Sequence, residues 1–410
     1  MFGQKAEKPM KYAERANRIQ PSLTMAVIDK SAALRSQGVD LIDLGPGEPD
    51  YETPEHIKQA AIQALSDGHT RYTTNVGITP LREAISEKLS RDSGVRASAD
   101  QIIVSNGGKH ALFNAMMAVL DPGSEIIEFS PYWVTFPEMA KLAGAEPVLL
   151  SCRETNHFEP DLDEVRDTIT DRTAAILMNS PSNPTGVIYS EETVRGLYEI
   201  AAEHELFLIS DECYDQIVYE SGAVYPGMFE SEPERVITVQ SFSKSYAMTG
   251  WRVGYAAGNT ELIKQMAKIQ SQSTSHANTI AQYAAITALK SDQSFIREMV
   301  AEYEKRRNYV LERVRQWEGV TCATPEGAFY VFPNVSGYFG SVVNGRPLRD
   351  SMDMADFFLE QAHVTVVPGV GFGADEHIRI SYSTSMEELR RGLTRMEKAL
   401  QQLEIDNTKG

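Results

Sequence analysis

Short apolar runs alternate with amphipathic stretches between residues 100 and 258. Amphipathic segments such as 110–120 and 191–204 predict helices between the runs. Nearly continuous apolar strands that alternate with helices are typical of a mostly parallel sheet buried on both faces. The apolar runs predict seven such strands, at 102–106, 124–130, 146–152, 174–180, 206–212, 235–242 and 252–258. Ligands bind such sheets beyond the carboxyl ends of the strands, so polar residues that directly follow a strand are the candidates for a site.

The pattern changes after residue 295. Residues 295–317 predict a long, charged amphipathic helix that could join two lobes. Strand-like and helix-like segments are then mixed, at 328–333, 354–362, 364–369, 378–383 and 385–403. Residues 21–40 also predict a helix. We therefore expect a large α/β domain at 51–295 and a smaller α+β domain built from residues 1–50 and 296–410.

Composition narrows the classes of function. A net charge of −18 argues against non-specific binding to nucleic acid, because the phosphates would repel the chain. No apolar stretch approaches the roughly 18 residues of a membrane helix, and the N-terminus has no apolar core. Cys152, Cys213 and Cys322 lie far apart without metal-ligand spacing, which predicts reduced thiols in a cytoplasmic protein without a metal.

A candidate nucleophile lies in the segment SFSKSYAMTGWRVG, residues 241–254. Lys244 follows an apolar run and lies between hydroxyl side chains, with Arg252 eight residues later. A lysine that forms an imine must be partly desolvated or close to other cations. Ser241, Ser243 and Arg252 would suit a phosphate beside it. The alternative is an ordinary solvated lysine.

Two further candidates end the run LFLISDECYD. An unpaired carboxylate at Asp211 would be costly there, so a cationic partner is expected, such as the pyridinium nitrogen of pyridoxal phosphate. Tyr214 could donate to the phenolic oxygen of the same ring. The alternatives are a helix cap for Asp211 and a packed aromatic for Tyr214.

Three other segments carry polar residues after strands. Asn183, in NSPSNPTG, precedes a proline in a stiff turn and could project toward a ligand; an ordinary polar turn is the alternative. In IIVSNGGKHALF, two glycines lead into a helix whose backbone N–H groups could hold a phosphate. Arg379 lies within the apolar strand HIRISYS, where it needs an anion: a substrate carboxylate or an internal salt bridge.

The order of these segments resembles the class I/II aminotransferases of pyridoxal-phosphate fold type I. The likeness runs from about residue 14 to residue 403. Within the family, the chain most resembles the bacterial subgroup that includes aspartate/prephenate aminotransferases. It is carried by Gly107-Gly108-Lys109, Asn183-Pro184-x-Gly186, Asp211-x-x-Tyr214, Ser241-x-x-Lys244, Arg252 and Arg379. The resemblance implies a large domain with a seven-stranded sheet and a small domain from both chain ends.

The resemblance also implies roles for individual residues around pyridoxal phosphate. Lys244 would bind the cofactor covalently and move the substrate's α-proton. Asp211 would pair with the ring nitrogen, Asn183 and Tyr214 would contact the phenolic oxygen, and Trp133 would stack on the ring. The phosphate would be held by Gly108, Lys109, Ser241, Ser243, Arg252 and, across a homodimer interface, Tyr72.

The implied reaction moves the amino group of aspartate to 2-oxoglutarate by ping-pong kinetics, with additional use of prephenate. Arg379 and Gly47 would hold the substrate α-carboxylate, with Trp133 and Asn183 alongside. Lys109 and Thr24 match residues that the subgroup uses for the distal carboxylate. Gln20 stands where the subgroup often has a lysine, which is a departure from its pattern.

Other functions remain open from the sequence. Within the same fold, the alternatives are an alanine, aromatic or kynurenine aminotransferase, or a C–S β-lyase. From other classes, they are a cofactor-sensing DNA-binding regulator, which would need an additional helix-turn-helix domain, and a purely structural protein.

Overall fold

In the computed structural model of the chain, residues 11–21, 23–220 and 222–403 are described, and the side chains of residues 22–29 lie outside that description. The strands of the described residues are numbered in chain order. They are β1 Ile42–Asp43, β2 Ile102–Ser105, β3 Glu125–Ser130, β4 Glu146–Ser151, β5 Thr173–Asn179, β6 Phe207–Asp211, β7 Val236–Ser241, β8 Gly254–Ala257, β9 Tyr330–Val331, β10 Val342–Val343, β11 Arg346–Pro347, β12 Val364–Thr365, β13 Val367–Pro368 and β14 Ile378–Ser381.

The helices are numbered in the same way. They are α1 Glu14–Arg18, α2 Leu23–Ser36, α3 Glu55–Ser66, α4 Thr79–Lys88, α5 Gly108–Val119, α6 Phe136–Ala143, α7 Leu162–Thr168, α8 Glu191–Glu203, α9 Phe242–Ser245, α10 Thr260–Ser273, α11 Thr279–Lys290, α12 Ser294–Val314, α13 Ser351–Phe357 and α14 Met386–Leu400. Side-chain caps start several of them, because an oxygen there accepts a free N–H of the first turn. Ser190, Asn259, Asn278 and Ser385 cap α8, α10, α11 and α14.

The central sheet has seven strands in the order β2-β8-β7-β6-β5-β3-β4. Strands β3 to β7 pair in parallel, whereas β8 is antiparallel to both of its neighbours, β2 and β7. Each of the seven predicted strands is therefore present, and the sheet is mostly parallel. Because β8 runs in reverse, its first residues lie at the edge where the parallel strands end, with Gly254 opposite Ser105 and Ser241.

Apolar side chains cover both faces of this sheet. Ile103, Ile126 and Ile209 pack with helices on one face, and Ile127, Ile176 and Leu208 pack on the other. Burial on both faces is the reason for the continuous apolar runs in the sequence. Polar side chains are consequently placed at the strand ends.

A second core joins the two ends of the chain. Strand β1 pairs in parallel with β12, and β14 lies between β13 and β9 in an antiparallel sheet. Ile42 and Leu44 share one buried cluster with Leu393 of α14 and Val310 of the long helix α12. This packing supports the division into 51–295 and 1–50 with 296–410, which stays a proposal. None of the described helices is both long and apolar enough to cross a membrane.

Candidate active site

A cavity of about 380 Å³ lies at the carboxyl edge of the central sheet. Segments that follow β2, β3, β5, β6 and β7 contribute to its wall, as does the segment that leads into β8. It brings together most of the residues that the sequence indicates. These are Gly47, Gly108, Lys109, Trp133, Asn183, Asp211, Tyr214, Ser241, Ser243, Lys244, Arg252 and Arg379.

Lys244 lies on the short helix α9, directly after β7. Its Nζ donates a hydrogen bond to the carbonyl oxygen of Gly47. The amine also lies 6.0 Å from the ring centre of Tyr214 and 5.9 Å from that of Phe329. Burial lowers the pKa of Lys244 to about 8, so a substantial fraction of the amine is neutral near physiological pH. A solvated surface lysine is thereby ruled out.

Asp211 is the last residue of β6, and its side chain is buried. The backbone N–H of Cys213 donates to its Oδ1 at 3.1 Å. Burial raises the pKa of Asp211 to about 6 and raises the pKa of the neighbouring Cys213 thiol well above its usual range. The thiol is therefore neutral, and a carboxylate in this position would be stabilised by a cationic ligand in the cavity.

A set of donors suited to an anion lies at the start of α5. This helix begins at Gly108, where backbone N–H groups have no helical partner. Ser241 and Ser243 lie next to it, with their hydroxyl oxygens 2.7 Å apart. Gly107 has φ +88° and lies against the guanidinium of Arg252; a Cβ at this position would come within 2.4 Å of Nη2. The glycine therefore allows cation, hydroxyls and helix start to converge.

Arg379 is buried without an acidic partner among the described residues. Its Nη1 donates to Oδ1 of Asn183 at 2.9 Å, and its Nη2 donates to the carbonyl oxygen of Gly45 at 2.7 Å. The guanidinium lies 4.4 Å from the ring centre of Tyr330, and its Nε has no hydrogen-bond partner in the described part of the chain. The internal salt bridge considered for Arg379 is absent there, so the side chain is available for an anion in the cavity.

Trp133 and Lys109 form another part of the cavity wall. Trp133 follows β3 and packs edge-on against Phe136, with ring centres 5.4 Å apart. The Nζ of Lys109 lies 4.7 Å from the Trp133 ring centre. Burial, with a smaller contribution from Arg252, lowers the pKa of Lys109.

Tyr72 and Thr24 complete the predicted site residues, and Gln20 marks the departure from the subgroup pattern. Tyr72 is 90% exposed and packs edge-on against His276, so it does not line the cavity of its own chain. The side chain of Thr24 lies outside the described residues. Gln20 is exposed, and its backbone N–H donates to Glu138 at 2.7 Å.

Tyr330 and Asn179 also line the cavity, and the sequence did not indicate a role for either of them. Tyr330 lies in the cavity wall, and its hydroxyl is 2.7 Å from that of Tyr214. Asn179, the last residue of β5, donates to the carbonyl oxygen of Asp211 at 3.0 Å and accepts from the N–H of Asn183 at 2.9 Å. The position of Asn179 at a strand end was a usable signal, whereas nothing local distinguishes Tyr330 from a core aromatic.

Comparison with known proteins identifies the family. The family model described as aminotransferase class I and II matches residues 39–396. The chain belongs to this family. This result confirms the resemblance found from the motifs and the prediction of an aminotransferase.

Relatives match nearly the whole chain. A probable aspartate/prephenate aminotransferase of Aquifex aeolicus is 43% identical over 95% of this chain and 99% of its own length. The aspartate/prephenate aminotransferase of Thermus thermophilus is 43% identical over 95% of this chain and 98% of its own. Among solved structures, the aspartate aminotransferase of Rhizobium meliloti superposes with a TM-score of 0.93, at 41% identity over 96% of this chain and 100% of that one. The predicted α/β fold is confirmed.

Proposed function

We propose that this aminotransferase uses pyridoxal phosphate to move the amino group of aspartate to 2-oxoglutarate. The observation that carries the proposal is the meeting of Lys244, Asp211 and Arg379 in one cavity. These three residues provide an amine of lowered pKa, a buried carboxyl group and a buried guanidinium that has no acidic partner among the described side chains. Such a set matches the aldehyde and ring nitrogen of the cofactor and the carboxylate of an amino acid.

The donors at the α5 start provide the test of fit for the cofactor phosphate. Backbone N–H groups at Gly108 and Lys109, two serine hydroxyls and the Arg252 guanidinium converge within the same cavity. Each of these groups favours a phosphate oxygen. Asp211 lies in the same cavity, where it suits a protonated ring nitrogen. The residues present therefore fit pyridoxal phosphate.

When bound, pyridoxal phosphate supplies an electron-withdrawing ring that makes the α-proton of an amino acid acidic. The residues around it perform the remaining tasks. Asp211 holds a positive charge at the ring nitrogen, and Arg379 binds the substrate α-carboxylate through two parallel hydrogen bonds. Asn183 keeps the Arg379 guanidinium in place through its 2.9 Å hydrogen bond.

Lys244 acts as the base once its amine is free. Its lowered pKa lets the neutral amine accept a proton from the substrate α-carbon near neutral pH. With the cofactor bound, the same nitrogen would also return that proton, so Lys244 would serve as both base and acid. Departure of the first product before the second substrate binds gives ping-pong kinetics.

The assignment of aspartate is supported by the names of the relatives and by Lys109. The solved Thermus thermophilus enzyme that carries maleate superposes with a TM-score of 0.90 at 43% identity, over 95% of this chain and 100% of that one. In this chain, the amine of Lys109 lies over the Trp133 ring in the cavity wall. We propose that it binds the distal carboxylate and also admits prephenate.

A homodimer is the second part of the proposal. Tyr72 is a large aromatic side chain that is 90% exposed in one chain, as expected if it completes the phosphate site of a second copy. We also expect a cytoplasmic location, which agrees with three free cysteines.

A donor and acceptor screen tests the proposed reaction. The purified protein is saturated with pyridoxal phosphate and given glutamate with oxaloacetate, prephenate, pyruvate or phenylpyruvate in separate reactions. We expect the fastest transfer to oxaloacetate and measurable transfer to prephenate. Release of pyruvate and ammonia from a sulfur-containing amino acid, without transfer to any 2-oxo acid, would identify a C–S β-lyase and contradict the proposal.

Lys109→Ala tests the distal site separately. Loss of one charge-assisted contact should lower kcat/KM for aspartate by about tenfold to a hundredfold. The value for phenylalanine should stay the same or rise, because its side chain has no distal charge. An unchanged value for aspartate would remove Lys109 from the proposed site.

A further inference from the structure

A buried ion cluster lies behind the cavity wall that carries Asp211 and Lys244. Lys88, the last residue of α4, has a side chain that is only 3% exposed. Its Nζ donates to a carboxylate oxygen of Asp215 and, at 2.6 Å, to Oε1 of Gln240. Such a fully desolvated charge pair is costly to form, and it is weak evidence for stability by itself. Its location calls for another explanation.

The cluster, which consists of Lys88, Asp215 and Gln240, contacts the turn that follows β6 at two residues. Asp215 is one of its members, and the Nε2 of Gln240 donates to Glu212 at 2.8 Å. Glu212 comes directly after Asp211, and the backbone N–H of Asp215 donates back to the carbonyl oxygen of Glu212 at 3.0 Å. The turn is therefore fixed on the side away from the cavity, while Asp211 and Tyr214 face the cavity.

The same cluster reaches the segment of Lys244. Gln240 is the residue before Ser241 on β7, and the hydroxyl of Ser245, next to Lys244, lies 3.5 Å from Oδ1 of Asp215. The hydroxyl of Tyr255 on β8 donates to Gln240 at 2.6 Å. Lys88 thus connects the chain segment that carries Asp211 with the one that carries Lys244.

We propose that Lys88 is a positioning residue, which sets Asp211 and Lys244 relative to each other through Asp215 and Gln240. The proposal rests on the proposed function of those two residues. Lys88 touches neither cofactor nor substrate; it acts by holding the backbone of two segments in one geometry. Displacement of a reacting group by about 1 Å can lower the rate about a hundredfold. Contacts that fix the backbone of these two segments can therefore affect kcat without touching the substrate.

Lys88→Met tests the proposal, because it removes the charge and keeps the length of the side chain. In the protein loaded with pyridoxal phosphate, we expect kcat to fall about tenfold to a hundredfold with KM changed by less than about threefold. The pH midpoint of the cofactor absorbance should rise by about half a unit or more, since weaker pairing by Asp211 leaves less positive charge near the Lys244 nitrogen. This midpoint is a readout that is independent of turnover.

Arg82→Met is the matched control. Arg82 is a buried cation on the same helix, and it donates to the carbonyl oxygens of Gly77 and Ala99, away from both segments. The Arg82→Met substitution should lower the melting temperature and leave the absorbance midpoint and kcat unchanged. If Lys88→Met behaved in the same way, with only its melting temperature lowered, the positioning role would be wrong.

Asp215→Asn covers the case in which Lys88→Met does not fold. The amide keeps the shape of the carboxylate and weakens its hold on Lys88, so a smaller shift of the midpoint and a smaller loss of kcat are expected. A folded Asp215→Asn protein with wild-type midpoint and kcat would overturn the proposal. Absence of both cofactor absorbance and transfer activity in the wild-type protein would instead contradict the proposed function.

Discussion

Asp211 and Glu128 are both buried carboxyl groups of the central sheet, and they lie in different surroundings. Asp211 ends β6 at the cavity and accepts a hydrogen bond from the backbone N–H of Cys213. Glu128 lies inside β3, level with Leu149 and Leu177 of the adjacent strands, and neither of its carboxylate oxygens has a hydrogen-bond partner among the described residues. Burial raises the pKa of both groups.

The difference shows that burial alone does not identify a functional acid. A raised pKa marks a candidate, and the position relative to a cavity decides its role. Asp211 opens onto a space that can hold a cation. Glu128 is enclosed, and burial favours its protonated form despite the opposing effect of Lys141 on α6.

Replacing the carboxyl group by an amide at each of the two positions should give the largest difference in kcat. Asp211→Asn removes a negative charge at the proposed ring-nitrogen site and should lower kcat by about 10²–10³-fold or more. Glu128→Gln, the matched control, should leave kcat within about twofold, because that group does not reach the cavity. Steady-state kinetics with both proteins fully loaded with cofactor provide the measurement. Equal losses in the two variants would contradict the distinction.

Arg379 extends the comparison to buried cations. Arg379→Lys keeps the charge and loses the two parallel hydrogen bonds, so kcat/KM for the amino acid should fall about tenfold to a hundredfold, mainly through KM. Arg307→Lys is the control, since Arg307 is also buried but donates to the carbonyl oxygen of Pro325 outside the cavity. A KM effect of the same size in both variants would show that Arg379 has no special role in substrate binding.

Glu128 gives the smallest effect on activity and a clear effect on stability. The pKa of Glu128 is higher in the folded chain than in the unfolded chain, so the folded chain holds this proton more tightly. The resulting contribution to the free energy of unfolding is fully present at acidic pH. That stability is lost as pH rises from the unfolded pKa of about 4.3 through the folded value. Glu128→Leu should raise the free energy of unfolding by about 1–3 kcal/mol at pH 8 and by less at pH 5.

Denaturant titrations of wild type and Glu128→Leu at the two pH values measure this difference. Glu128→Gln retains the polar group and removes the titration, so it should flatten the pH dependence without the full gain in stability. If the difference between wild type and Glu128→Leu were the same at pH 5 and pH 8, a protonated Glu128 in the folded chain would be excluded.

Strand positions and most of the site could be predicted because both depend on local signals. The seven apolar runs lie within two residues of the strands β2 to β8, and polar residues after those strands point to one edge of the sheet. Asp211, Asn183 and Lys244 were all found in this way. Their meeting follows from parallel pairing, which brings strand ends together.

Other features depend on contacts that are distant in the chain. The hydroxyl contact between Tyr214 and Tyr330 joins residues 116 positions apart, and the bond from Arg379 to Gly45 joins residues 334 positions apart. Glu128 is a charged residue within an apolar run, as Arg379 is, but the run does not reveal that Glu128 is enclosed away from the cavity. The antiparallel direction of β8, which brings Arg252 to the site, was likewise invisible in the pattern.

Lys244→Ala tests the central claim most directly. Circular dichroism and thermal melting first establish that the variant is folded, and its absorbance spectrum and turnover with pyridoxal phosphate are then compared with those of wild type. We predict loss of the absorbance band of the covalently bound cofactor and loss of nearly all transfer activity. A folded Lys244→Ala protein with normal turnover would contradict the assignment of Lys244 as anchor and base.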